Sequence, residues 1–181
     1  MKNSKLFMVI AFVSAVLLSS NLEAQKFSKL DKSPMDAAAF PTDYKVSDKL
    51  IKIIYSRPQL KGRELSKLAP NGKVWRTGAN EAAEITLYKD MKLGATEIKA
   101  GTYTFYVIPG DTTWTAIVSS DTNVWGSYFY DKTNDVARLD VPVSSSDDSL
   151  EAFSIAFTKA DDGVHMHLGW GTTRVAVPFT K

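Results

Sequence analysis

From Leu50 onward the chain repeats one rhythm: a short segment of apolar, β-branched and aromatic residues, then a cluster of Gly, Pro, Asn, Asp or Ser. TYTFYVI, ending at Ile108, is stopped by Pro109-Gly110-Asp111, and WTAIV, beginning at Trp114, is stopped by SSDTN. Side chains on an extended chain alternate between two faces, so segments of this length and composition read as strands and the clusters between them as turns. The spacing leaves little room for long helices and therefore excludes helical bundles and β-α-β folds.

The other segments fit the same period. In LIKIIY, Ile51, Ile53 and Tyr55 share a face, and Ile85 and Leu87 do so in EITLY. MKL and EIKAG flank a turn at Gly94-Ala95-Thr96. WGSYFY and VARLDVPV read as strands joined by Asp131–Asn134, and SSSDDS at residues 144–149 reads as a polar loop. Phe153, Ile155 and Phe157 line one side of AFSIAF; Asp161-Asp162-Gly163 then signals a hairpin into VHMHLGW. Past Gly171-Thr172-Thr173, RVAVPF places Val175, Val177 and Phe179 together. About nine or ten short strands with turns between them predict an all-β fold, an antiparallel β-sandwich. Only GRELSKLA, with Leu65 and Leu68 three apart and Pro70 and Gly72 beyond, suggests a short helix.

Before this region, Lys2 and Lys5 precede an apolar run from Leu6 to Leu18, and Ala24 offers a small residue for cleavage. Residues 1–24 are expected to be a signal peptide, residues 25–48 an arm and lead-in, and residues 49–181 a single sandwich domain. An exported location follows, periplasmic or extracellular. No later stretch approaches the ~18 apolar residues of a membrane span, so no integral membrane segment is expected after cleavage. The absence of cysteine removes disulfides, thiolate metal ligands and a thiol nucleophile, and the domain must be held by its core.

Charge is uneven. The whole chain carries a formal +2, yet the long connection between the first two strands concentrates Arg57, Lys61, Arg63, Lys67, Lys73 and Arg76 against Glu64 and Glu81. A connection of that length is uncommon in a compact domain and is usually functional or disordered; Val74 and Trp75 give it something to bury. Nucleic acid is not an expected partner, because no strongly basic face runs through the chain.

Within this loop, KVWRTGANEA has neither helical nor strand periodicity. Convergence of Arg57, Arg63 and Arg76 on a carboxylate, phosphate or sulfate, with Asn80 orienting it, is one reading; a structural pair between Arg76 and Glu81 is the other. Trp125, with Tyr128 and Tyr130, offers a stacking surface for a sugar or planar ligand, although aromatic core and edge positions of a strand account for such residues more simply. The two histidines, His165 and His167, share a strand face that can bind a metal only if the fold adds a carboxylate; otherwise they are solvated. Glu81 and Glu84 are the first carboxylate pair to inspect for glycoside cleavage. No G-x-S-x-G, H-E-x-x-H or P-loop occurs.

Taken in order, YSRPQLKGRELSKLAPNGKVWRTGANEA, AGTYTFYVIPGDTTWTAIVS, WGSYFYDKTNDVARLDV and RVAVPF resemble the bacterial secreted family known as domain of unknown function 2911, over about Ser33 to Phe179. The sequence departs from that pattern at Asn71 and Ala83, where relatives carry an aromatic and a hydroxyl residue. The resemblance implies an envelope or secreted location and brings no activity, cofactor or catalytic residue. The expectation is an exported binding module with a polar site for an anionic or glycan-like small ligand, formed by Arg57, Arg63, Arg76, Asn80, Glu81 and Trp125. A metal-assisted hydrolase using His165 and His167 and a purely structural envelope protein are the alternatives. No cofactor is expected, and the oligomeric state is left open.

Overall fold

A computed structural model describes residues 25–181. The signal-peptide reading of residues 1–24 lies outside the described residues. Asp31–Lys181 form one compact unit. Nine strands follow in chain order: β1 (Met35–Phe40), β2 (Ile51–Ser56), β3 (Ala83–Leu87), β4 (Met91–Leu93), β5 (Thr96–Ile98), β6 (Gly101–Ile108), β7 (Thr113–Ser119), β8 (Asp135–Ala160) and β9 (Gly163–Thr180). A single helical turn, α1 (Leu65–Leu68), interrupts the β2–β3 connection.

The hydrogen-bonded order is β1-β2-β3-β6-β7-β8-β9-β4-β5, an open series with every pairing antiparallel. β8 carries the chain between its two halves: residues 135–142 pair with β7, and residues from Val143 onward pair with β9. The alternation read from the sequence becomes the core. Ile51, Ile53, Tyr55, Ile85 and Leu87 from one half meet Phe153, Met166, Leu168, Trp170, Val175, Val177 and Phe179 from the other in one buried cluster. Burying these faces against each other is the main stabilising term for a chain without bridges.

One tyrosine joins the halves where β1 and β2 approach the C-terminal part of β8. Its hydroxyl, on Tyr55, accepts the Ile155 amide at 2.9 Å and donates to the Ile155 carbonyl at 3.5 Å. The ring packs edge-on against Phe153 with centroids 5.6 Å apart.

Three local expectations are revised. Residues 25–48, expected as an arm and lead-in, contain β1, whose Ala38 and Phe40 pack on the core and whose backbone pairs with the whole of β2. SSSDDS belongs to β8: four residues on β8 oppose one on β9 between the Ser145–Thr173 and Leu150–Gly171 pairs, so the polar residues bulge out while the strand continues. The two last strands are accordingly long. WGSYFY forms a turn in place of a strand, with an isolated β-bridge between Trp125 and Glu81 just before β3.

β9 doubles back on itself. Gly163 lies against the backbone of Phe179 and Thr180, Gly169 against the Arg174 side chain, and Gly171, at the reversal, has φ +55°. The Lys181 amide donates to the Asp162 carbonyl at 3.0 Å, tying the start of β9 to its end. Gly171-Thr172-Thr173, expected as a turn between two strands, lies within β9, where Gly171 pairs with Leu150 and Thr173 with Ser145, so the strand bends there without ending.

Candidate functional site

The β2–β3 connection is a folded structure fastened to both halves of the sheet. Its first part runs beside the bulged region of β8, with Leu60 N–H on the Glu151 carbonyl and Phe153 N–H on the Pro58 carbonyl, both 2.9 Å. Its second part pairs with the end of β6, Trp75 and Val107 exchanging amide bonds of 2.7 and 3.1 Å. A further bond, from Ala83 N–H to the Arg76 carbonyl at 2.9 Å, closes residues 77–82 into a small loop. Trp75 is driven inward: its ring stacks on Trp170 (5.5 Å, 18°) and meets Phe153 edge-on at 4.9 Å.

Above this aromatic floor is a hollow of about 280 Å³. Its rim includes Arg63, Arg76, Gly78, Ala79 and Asn80, with Trp75 and Trp170 beneath. Two of the three arginines singled out from sequence therefore reach one cavity. Arg63 spends Nε on the Leu60 carbonyl (2.9 Å) and Nη2 on the Gln59 carbonyl (2.7 Å), which leaves Nη1 to point elsewhere. Arg76 donates Nη1 to the Asn80 carbonyl at 3.4 Å, and its guanidinium carbon stands 5.8 Å from the Tyr128 ring centroid. Among the described residues it forms no ion pair. Among the described residues no aspartate or glutamate lines the hollow.

The third arginine is a correction. Arg57 is consumed by internal partners: Nε on the Phe153 carbonyl (3.1 Å), Nη2 on Ser154 Oγ (2.7 Å) and Nη1 on Asp36 Oδ2 (3.1 Å). It follows directly on β2, so its side chain reaches across to β8 and braces the seam that Tyr55 also holds. Glu81 is a second correction: it neither pairs with Arg76 nor lines this hollow. With Glu84 it lines a separate cavity of about 210 Å³ beside Ile54, Thr104 and Asn123.

Trp125 lies at the start of an exposed aromatic turn. Trp125, Tyr128 and Phe129 are 57, 73 and 84% exposed. Tyr130 turns inward, against the Tyr106 ring at 5.3 Å, and donates its hydroxyl to Asp135 Oδ2 at 2.8 Å. The projecting set is thus Trp125, Tyr128 and Phe129, since the segment is a turn and does not follow strand alternation. Gly126 makes that turn possible, with φ +71° and the Tyr128 ring 2.7 Å from where a Cβ would sit. Ser127 Oγ donates to the Val74 carbonyl at 2.9 Å and fixes the aromatic turn to the crossover.

His165 and His167 lie on the outer face of β9 with ring centroids 6.1 Å apart. His167 Nε2 is 2.7 Å from Thr158 Oγ1, and burial, then the neighbouring His165, hold its pKa below the ordinary value. Among the described residues no group of three or more His, Asp or Glu is placed to hold a metal. No helix among them is long and apolar enough to cross a membrane.

Sequence reasoning did not single out the floor of the hollow. Trp75 was visible only as something for the loop to bury, and Trp170 only as a core residue; their stacking joins segments far apart in the chain. A family model described as "Protein of unknown function (DUF2911)" matches residues 33–179. No curated protein and no solved structure matches the chain.

Proposed function

Because the chain belongs to the DUF2911 family, whose description assigns no chemistry, we propose from its own residues that it is an exported binding module whose hollow accepts the anionic group of a small ligand. The observation that carries this reading is the pair Arg63 and Arg76 on the rim of one cavity that no carboxylate among the described residues lines. A guanidinium with uncommitted N–H groups is a directional receptor for carboxylate, phosphate or sulfate oxygens.

The exposed turn extends the site. Tyr128 lies beside Arg76, and Trp125 and Phe129 present further ring surface from the same turn. A ligand with an acidic group in the hollow can lay a sugar ring or another flat portion on these side chains.

A thermal-shift panel at low ionic strength tests the reading, using acetate, citrate, phosphate and sulfate, with acidic and neutral sugars in parallel. At least one anion is expected to raise Tm in the wild type and to lose most of that effect in Arg76→Gln and in Arg63→Gln. Failure of every anion to raise Tm overturns the proposal and leaves a structural β-scaffold.

A further inference from the structure

We infer that the loop 77–80 is a backbone nest that takes a tetrahedral oxyanion, a phosphate or sulfate group, within the hollow. This rests on the reading of that hollow as a ligand site and names the group it holds.

Trp75 N–H donates to Val107, Ala82 N–H to Val124 and Ala83 N–H to Arg76. Between them, the amides from Arg76 to Glu81, which include the whole loop, donate to no acceptor among the described residues. Gly78, Ala79 and Asn80 all line the hollow. Backbone N–H groups ordinarily find partners, so a consecutive run of uncommitted donors at a cavity wall is a chemical signal.

The backbone geometry has the same direction. Thr77 has φ 54° and Asn80 has φ 62°, both left-handed, and Ala79 before Asn80 does not. Placing a left-handed residue beside one of ordinary hand turns successive N–H groups toward one side and makes an anion-binding concavity. Asparagine tolerates this conformation; threonine, branched at Cβ, pays about 1–2 kcal/mol for it. Thr77 is nevertheless fully buried, its Oγ1 donating to the Trp75 carbonyl at 3.4 Å, and its surroundings impose the conformation.

Donor number selects the anion. Amides of 78–80, Nη1 of Arg63 and the uncommitted N–H groups of Arg76 together exceed the roughly four lone-pair sites of a carboxylate. A phosphate or sulfate has more oxygens and spreads them in three dimensions, which suits this larger set of loop amides and guanidiniums around one hollow.

The test is a titration of the ¹⁵N-labelled protein with inorganic phosphate, sulfate, acetate and chloride, followed by amide chemical shifts and by calorimetry. Phosphate and sulfate are expected to bind at least tenfold more tightly than acetate and to move the Gly78, Ala79 and Asn80 amide protons downfield. Ala79→Pro, which deletes one donor without changing charge, should weaken phosphate at least tenfold. Phosphate binding that leaves those three amides unmoved overturns the nest. Binding of acetate or citrate without phosphate or sulfate overturns the tetrahedral assignment and leaves the anion site standing; absence of binding by any of them removes both. The wild-type shifts decide the matter if Ala79→Pro fails to fold.

Discussion

Arg76 stands over the Tyr128 ring at 5.8 Å and spends one N–H on the Asn80 carbonyl, whereas Arg57, at the other end of the same crossover, is bonded to Phe153, Ser154 and Asp36. Two arginines of one loop thus have opposite assignments, and stability measurements separate them. Arg57→Gln should cost about 1–3 kcal/mol in urea denaturation, because it leaves a β8 carbonyl and Asp36 without their charged donor. Arg76→Gln should change stability by less than about 1 kcal/mol, the scale of an exposed cation–π contact. Equal losses from the two would contradict this division.

The seam between the halves of the sheet rests on a phenol. Tyr55→Phe keeps the ring against Phe153 and deletes the acceptor of the Ile155 amide. An orphaned buried amide costs about 1–3 kcal/mol, and hydrogen exchange at Ile155 should accelerate along with the drop in urea midpoint. An unchanged midpoint would show that the hydroxyl contributes nothing to the closure.

The Tyr106 hydroxyl is buried and has no hydrogen-bond partner among the described residues. Burial first, then Asp121, Tyr130 and Asp135, push its pKa from 10.0 up to about 12. The unfolded chain ionises first as pH rises, so the folded state is fully favoured below pH 10 and loses that advantage between 10 and 12. Tyr106→Phe should be neutral or stabilising by up to about 1 kcal/mol at pH 7, with a shallower fall in Tm across the alkaline window. Some slope remains, because Tyr55 and Tyr130 are also raised.

His167 gives the acid counterpart. Its folded pKa lies below 6.5, chiefly through burial and secondarily through His165. The unfolded chain therefore takes up this proton first, and the contribution present above pH 6.5 is lost as pH falls through the folded value. His167→Gln should flatten the Tm profile on the acid side of 6.5, and His165→Gln should flatten it less. Identical profiles for wild type and His167→Gln would refute the assignment.

The core was legible wherever a two-residue period was unbroken: Ile51, Ile53 and Tyr55, or Val175, Val177 and Phe179, are buried as the alternation requires. It was less legible where the backbone departs from that period. The bulge at residues 146–149 looks like a loop because its residues are polar, and WGSYFY looks like a strand because its residues are aromatic; hydrogen-bonding partners decide both, and those come from distant segments. The candidate site shows the same limit. Composition marked the crossover as basic, but that Arg57 is committed depends on where β8 lies, that Arg63 and Arg76 are only partly committed depends on how the crossover folds, and no local pattern reveals the left-handed turn at Thr77.

The stacked pair Trp75 and Trp170 belongs at once to the interior of the protein and to the bottom of its hollow, while Arg63, Ala79 and Asn80 stand on the margin. Substitutions at the margin can accordingly change the charge of the hollow with little penalty to folding, but its bottom is inherited from the interior. Any relative or engineered variant that exchanges the indole of Trp75 for a small side chain opens the core and the hollow together.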